Sequence, residues 1–343
     1  MKRKRSVARV FLVILCVLLG LILAAGIAAT VVGNSLYNKM NRIEQPQETL
    51  TQEEIQQILQ EETVDPNGPT APVMDEQDMN WGEEEVQIIE SSGEKINILL
   101  IGQDARSGET RARSDSMILL TFDTDKKTVT MTSFLRDLYV KIPGYQDNKL
   151  NAAYAFGGMP LLNKTLEVNF GVQVDGNVEV NFSRFAEVID LLGGVDMELR
   201  QDEANLINRK VGHSKLSEGM MHMDGDQALY YSRIRYLDAD GDFSRTNRQR
   251  KVINALIDKF RNTDRVTLLG LLDDLLPMIA TDMDRSDILK LAADLIPMLK
   301  DCTVISQRVP ADGEYEFRTI RSMSCVVADM DAARELLKQT IGK

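Results

Sequence analysis

INILLIG at residues 96–102, SMILLTF at 116–122 and TVTMTSF at 128–134 are the three runs on which the fold turns. The first is apolar, of strand length and closed by Gly102, the pattern of a strand buried on both faces. The other two are joined through the turn-rich stretch from Asp123 to Lys127, which predicts adjacent antiparallel strands. Further along, residues 151–170 and 183–192 have helical spacing, and Phe182, Phe185, Val188, Ile189 and Leu192 share one apolar face. Gly193-Gly194 stops that helix. Two more helices are predicted over 224–232 and from Asp242 to about Arg261. Together these runs predict an α/β domain over 94–262, a mixed central β-sheet flanked by helices.

The flanks read differently. Beyond Asp264, VTLLGLLDDLLPMIA (266–280) and DILKLAADLIPMLK (287–300) have the spacing of amphipathic helices, with packing on the domain preferred to lipid binding. Short strands around 303–308 and 324–328 and a helix from Asp329 complete a C-terminal extension over 263–343. Before the domain, residues 34–93 are acidic, polar and rich in proline, as in a stalk. Trp81 in it is read as a local packing residue. Before the stalk, Val10 to Gly33 is a 24-residue apolar run in which Thr30 is the one hydroxylated residue. At about 1.5 Å per residue it crosses a hydrocarbon core of about 30 Å, too long for the apolar region of a cleaved leader. Lys2, Arg3, Lys4, Arg5 and Arg9 precede it, so residues 1–9 are a basic cytoplasmic tail and the rest lies outside the cell membrane. Cys302 and Cys325 then fall where disulfides form, and a bridge between them is expected.

The chain has 343 residues, enough for about two domains. Its formal charge of -12 excludes general nucleic-acid binding through a diffuse basic surface, so an anion site must be a local basic cluster. Two histidines, and no G-x-S-x-G, H-E-x-x-H or P-loop pattern, argue against a serine hydrolase, a zinc protease and a nucleotide-triphosphate enzyme.

Arginines and aspartates cluster near strand ends. Asp104 follows the first strand and Asp115 opens the second. Two such carboxylates suit one hard cation such as Mg²⁺, which takes one or two carboxylates plus phosphate oxygens and water; turn or cap roles are the alternative. Arg233 and Arg235 share a face if the backbone there is extended. Asp242 is an expected N-cap, which puts Arg245 in the first turn with Arg248 and Gln249 on the same side. Cations at a helix N-terminus oppose its dipole unless an anion binds, so the cluster reads as a phosphate clamp or as a surface charge network.

In order, INILLIGQDAR, RSDSMILLTF, SFLRDLYVKIPG, KLNAAYAFGG, DLLGGVDMEL and YYSRIRYLDADGDFSRTNRQRKV resemble the LytR-CpsA-Psr family of cell-wall glycopolymer transferases. The likeness covers about half the chain. One departure is FLRD, where the family has a proline before the arginine. The resemblance implies transfer of a glycopolymer (teichoic acid, capsular or other wall polysaccharide) from a polyprenyl-pyrophosphate carrier to peptidoglycan at the cytoplasmic membrane, with no nucleic-acid partner. Asp104 and Asp115 would hold Mg²⁺ or Mn²⁺. Arg113, Arg136, Arg233, Arg235, Arg245 and Gln249 would contact the pyrophosphate, and Asp242 would orient an arginine. A general base is left open between Asp104 and Asp242. Hydrolysis of the lipid pyrophosphate, or a non-catalytic polyprenyl-phosphate-binding regulator of the envelope, are the alternatives. A lipid-sized apolar cavity between helices and sheet is also expected.

Overall fold

β-branched and large apolar residues recur along the strands, and Gly, Pro and Asp punctuate them, so the chain breaks into short elements. In this computed structural model the described residues are 38, 41–43, 51, 53–55, 71–82, 86–89, 95–103, 113–212, 215–234, 237–238, 242–262, 274, 276–295 and 302–342. The membrane span expected over 10–33 lies outside them; among the described residues no helix is long and apolar enough to cross a membrane.

The elements follow in chain order. The first strands are β1 (Asn41–Arg42), β2 (Lys95–Gln103), β3 (Ser114–Asp123), β4 (Thr128–Phe134), β5 (Tyr139–Val140) and β6 (Asn148–Lys149). Next come α1 (Leu150–Phe170), β7 (Gly176–Asn181), α2 (Phe182–Leu191), β8 (Val195–Leu199), α3 (Gln201–Lys210) and β9 (Gly219–Met223). They are followed by α4 (Gly225–Arg233), α5 (Asp242–Asn262), β10 (Ile279–Thr281) and α6 (Arg285–Leu295). The chain closes with β11 (Thr303–Val309), β12 (Tyr315–Ile320), β13 (Met323–Ala328) and α7 (Met330–Ile341). The expected class, a mixed α/β fold, is the one found. Ile279 and Ala280, expected at the end of a helix, lie instead in β10, which pairs in parallel with β1.

Two units divide the chain. The first combines Met1–Arg42, Asp123–Val129 and Glu179–Ser306; the second combines Ile43–Phe122, Thr130–Val178 and Gln307–Lys343.

In the second unit β2, β3 and the parts of β7, β4 and β11 that belong to it lie side by side in the order β7-β2-β3-β4-β11. Ile98, Leu99, Leu100 and Ile101 of β2 and Met117 to Leu120 of β3 are all buried, as their unbroken apolar runs require. One polar residue inside this core is fully used. Asn97 accepts from Thr121 Oγ1 at 2.8 Å and donates through Nδ2 to Gln173 O at 3.0 Å, and its backbone N–H donates to Asp175 at 2.7 Å. Because an unmatched amide there would cost a hydrogen bond, the pairing fixes the register of β2 against its neighbours. Helix α1 is broken where Gly157 and Gly158 leave helical geometry, and Pro160 restarts it just beyond. It packs against α7.

Residues 71–82, in the stretch expected to be a stalk, are part of this unit. Val73 forms a bridge to Thr319 on β12, and Trp81 stacks on Tyr139 with ring centroids 6.1 Å apart, confirming its packing role. Tyr139 is fully buried, and its hydroxyl donates to Glu76 at 2.5 Å; Glu76 in turn pairs with Arg321 at 2.6 Å. Pro72 O and Ala71 O each accept a hydrogen bond from Thr319, so the backbone here is tied to β12 as well.

In the first unit α4 packs against α2, α3 and α5, and α5 also meets β8. Asp224 caps α4 through Gln227 N at 2.9 Å, and the Gln227 side chain accepts the Asp224 N–H in return. Gly225 is required here. A Cβ on it would stand 2.1 Å from Ala186 O of α2, and its own N–H donates to Asp190 at 2.7 Å. Gly225→Ala must push α2 and α4 apart, and thermal unfolding is expected to register a loss of about 1–3 kcal/mol.

Candidate active site

Asp115 is the second residue of β3, and Arg136 follows β4 by two residues. Both side chains are largely buried, and Arg136 Nη1 donates to Asp115 Oδ1 at 2.7 Å. The same guanidinium reaches Asp137 through Nε at 3.4 Å, and Asp137 in turn pairs with Lys149 at 3.2 Å. A carboxylate on β3 and an arginine just past the end of β4 therefore meet as a charge-assisted pair. Arg113, two residues before Asp115, is half-buried. The backbone around Arg136 is held from both sides: Arg136 O accepts from Asn151 N at 3.1 Å, and Leu135 N donates to Val309 O at 3.2 Å. That last bond uses the N–H that the family's usual proline lacks.

The first unit carries the second set. Arg233 closes α4, and the backbone turns extended at Ile234; Arg233 was expected in an extended segment, and α4 runs one residue further than 224–232, a difference within the spread of helix ends. Helix α5 then starts at Asp242, so Arg245 falls in its first turn. Arg245 is 2 % exposed, and Thr246, Arg248 and Gln249 are buried with it. Arg245, Arg248 and Gln249 thus share the buried face of α5, on the one side of the helix where their spacing puts them.

Arg248 joins three elements. Its Nε donates to Glu203 of α3 at 2.9 Å, its Nη1 to Ile234 O at 3.3 Å, and its Nη2 to Asp238. Asp238 also accepts from Arg200 Nη1 at 2.7 Å, and Glu203 accepts the Arg200 backbone N–H at 3.0 Å. The Arg248 guanidinium lies 5.9 Å from the centroid of the buried Tyr231 ring. Arg200, Glu203 and Asp238 were not singled out from the sequence. The one available signal was a second basic residue, Arg248, on the buried face of α5.

Burial works against the Asp238 charge, yet the hydrogen bonds from Arg200 and Arg248 and their positive charges outweigh it and hold the carboxyl below its ordinary value. A carboxyl with a depressed folded-state pKa contributes stability that is complete above the unfolded-state value and is lost as pH falls through the folded one. The stability gap between the native chain and Asp238→Asn is therefore expected to be constant at neutral pH and to close only below about pH 4. Denaturant unfolding at a series of pH values measures it.

Asp104 and Arg235 lie outside the described residues, as does the side chain of Asp242. Among the described residues no group of three or more acidic, His or Cys side chains is placed to hold a metal ion. Asp115 supplies hard carboxylate oxygen, the donor type Mg²⁺ prefers, and Mg²⁺ needs only one or two such groups beside phosphate oxygens and water. Arg113, Asp115 and Arg136 belong to one unit, and Arg233, Arg245 and Gln249 to the other.

The expected disulfide is not formed among the described residues: Cys302 and Cys325 are buried thiols. Cys325 packs into the apolar cluster of Met79, Tyr139, Ile320 and Met323 and points its thiol at Met323 O, 3.6 Å away. It serves there as a small apolar side chain.

Known proteins resemble this chain along most of its length. The profile of the LytR_cpsA_psr family matches residues 48–340. A polyisoprenyl-teichoic acid--peptidoglycan teichoic acid transferase, TagU of Bacillus cereus, is 35% identical over 239 residues, covering 68% of this chain and 73% of the relative. TagT of Bacillus subtilis, a transferase of the same description, is 34% identical over 229 residues, or 65% of this chain and 70% of its own length. Among solved structures, one described as "TagT bound to LIIa-WTA" aligns with a TM-score of 0.61 at 29% identity, covering 77% of this chain and 99% of that one. Another, described as a LytR-CPS2A-psr family protein "with bound octaprenyl pyrophosphate lipid", aligns with a TM-score of 0.56 at 26% identity over 77% of this chain and 96% of that one. With a profile match over residues 48–340, the chain belongs to the LytR-CpsA-Psr family.

Proposed function

We propose that this chain transfers a glycopolymer, such as a teichoic acid, from a polyprenyl-pyrophosphate carrier to peptidoglycan and releases polyprenyl phosphate. The observation that carries the reading is the burial of Arg245, 2 % exposed, at the start of α5 with Gln249 beside it on the inner face. A guanidinium placed at the positive end of a helix is favoured when an anion completes the site, and pyrophosphate oxygens match its planar fork. The relatives named as teichoic acid transferases supply the polymer class.

In the proposed reaction a muramyl hydroxyl attacks the sugar-linked phosphorus. A new oxygen–phosphorus bond forms there as the bond to the bridging oxygen breaks, and the lipid leaves with the other phosphate. Charge grows on the bridging and non-bridging oxygens, so fixed cations lower the barrier without a covalent enzyme intermediate. Arg113, Arg136, Arg233, Arg235, Arg245 and Gln249 are the proposed contacts to those oxygens. Asp115 holds Arg136 in place, Asp242 orients an arginine, and Asp104 or Asp242 accepts the hydroxyl proton. Asp104 and Asp115 are the proposed holders of Mg²⁺, which when bound neutralises pyrophosphate charge. Residues 10–33 would anchor the chain in the cytoplasmic membrane with the catalytic domain outside, on the surface where the carrier lipid lies.

The test uses the full chain in detergent with a polyprenyl-pyrophosphate glycan, peptidoglycan oligomers and Mg²⁺. Mass spectrometry should find the glycan joined to peptidoglycan through a phosphodiester. Free glycan phosphate in its place would make the protein a hydrolase, and intact donor under all conditions would make it a binding protein.

A further inference from the structure

One buried arginine, whose guanidinium makes three hydrogen bonds, is not among those proposed to touch substrate. Arg248 lies three residues after Arg245, on the same buried face of α5, and precedes Gln249. Its guanidinium grips α3 through Glu203, the exit of α4 through Ile234 O, and the connection between α4 and α5 through Asp238. Asp238 is gripped a second time from α3, by Arg200. Arg200 is itself braced by a two-pronged contact to Asp202, both bonds 3.1 Å. Every one of these groups belongs to the first unit.

The placement matters because the residues on either side are the proposed pyrophosphate contacts. Arg233 ends α4 one residue before Ile234, whose carbonyl Arg248 holds. Arg245 and Gln249 sit on the helix that Arg248 locks in rotation. A rotation of α5 about its axis, or a slip of the α4 exit, would break at least one of the three bonds. Buried ion pairs contribute little net stability against apolar replacements, and fixing a single arrangement is a better-attested use. Misplacing a transition-state contact by about 1 Å can cost about 100-fold in rate.

We infer that Arg248, held by Glu203 and Asp238, is a positioning residue that sets Arg233, Arg245 and Gln249 for the pyrophosphate in the transition state. The inference rests on the transferase reading above and assigns a role to residues that touch no substrate. It requires the fork geometry of arginine, since a lysine ammonium can pair with one carboxylate but cannot span three acceptors on separate elements.

The test compares Arg248→Lys, Arg248→Met, Asp238→Asn, Asp238→Glu and the Arg248→Met/Asp238→Asn double variant in the full chain. Three readouts are taken: kcat and KM for the lipid-linked donor, affinity for undecaprenyl pyrophosphate, and melting temperature. Assays run well below every melting temperature, so that all variants are folded. The expected result is a fall in kcat of about 10- to 100-fold for both Arg248 variants and for Asp238→Asn, with KM changed less than threefold. Asp238→Glu should recover part of the rate. The double variant should be no slower than Arg248→Met by more than about twofold, because both changes release the same contact. Kinetics at the native level with only a lowered melting temperature would reduce the network to a structural one and overturn the inference, as would additive losses in the double variant. If the native chain binds undecaprenyl pyrophosphate and transfers nothing, the transferase reading is at fault and the inference falls with it; native transfer with unaffected variants removes the inference alone.

Discussion

Arg245→Met is expected to lower transfer by about 10³- to 10⁵-fold, the range set by arginines that stabilise charge in phosphoryl transfer. Methionine keeps an unbranched apolar stem like that of arginine and removes the charge and donors. The cost is paid in the chemical step, because the side chain is already buried against the start of α5 and has little freedom to lose. A loss of 10³ in kcat/KM corresponds to about 4 kcal/mol of transition-state stabilisation. Assays run below the melting temperature of the variant, and kinetics beside thermal unfolding separates a catalytic loss from a folding defect.

The second large effect has the opposite signature. Glu203→Ala removes the carboxylate that accepts from Arg248 Nε at 2.9 Å and from the Arg200 backbone N–H at 3.0 Å. Both Glu203 and Arg248 are 3 % exposed. Removing one partner of such a pair leaves the other charge buried and undercompensated, a change that costs about 3–5 kcal/mol. The helix start at α3 is weakened too, since Glu203 satisfies an N–H there. Equilibrium unfolding in urea should therefore show a clear fall in midpoint. Replacing Glu203 and Arg248 together by apolar residues should recover much of the loss, because the buried charge that makes the single change costly is then gone.

The parts of the fold most legible in the sequence were those with long runs of one character. INILLIG was legible as an apolar run of strand length closed by Gly102, and TVTMTSF as the strand that follows the turn-rich stretch from Asp123 to Lys127. Helix α5 was legible at its start because Asp242 and the spacing that follows mark it. GMMHM of β9 was missed, being neither β-branched nor alternating, and it is a strand because it pairs antiparallel with VDMEL of β8, on the far side of α3 in the chain. In α1 the spacing of apolar residues continues through Gly157-Gly158, so the break was visible only as composition. Residues 71–82 read as solvated because the stretch 34–93 that contains them is acidic, polar and rich in proline, yet Glu76 and Trp81 are captured by Tyr139 and Arg321, far along the chain.

The site divides in the same way. Asp115 and Arg136 were found from strand ends and motif order, and their 2.7 Å pair agrees with a shared role. Arg245 and Gln249 were found from helical spacing, which tells which residues share a face. The Glu203–Arg248–Asp238 network was not legible, because its members lie on three elements and no local pattern links an acid in α3 to an arginine in α5. Arg233 was misplaced by one residue of helix, a difference that boundary rules do not resolve.

The most direct measurement follows the phosphorus. A lipid-linked donor labelled only at the sugar-linked phosphate is incubated with the full chain and peptidoglycan oligomers, and the label is traced through the products. Attack at that phosphorus puts the label into peptidoglycan as a phosphodiester and releases unlabelled polyprenyl phosphate, with Arg245→Met leaving the donor intact. Label departing with the lipid as pyrophosphate would mean that the sugar carbon is attacked, and the account of these arginines as a clamp on the reacting phosphate would be wrong.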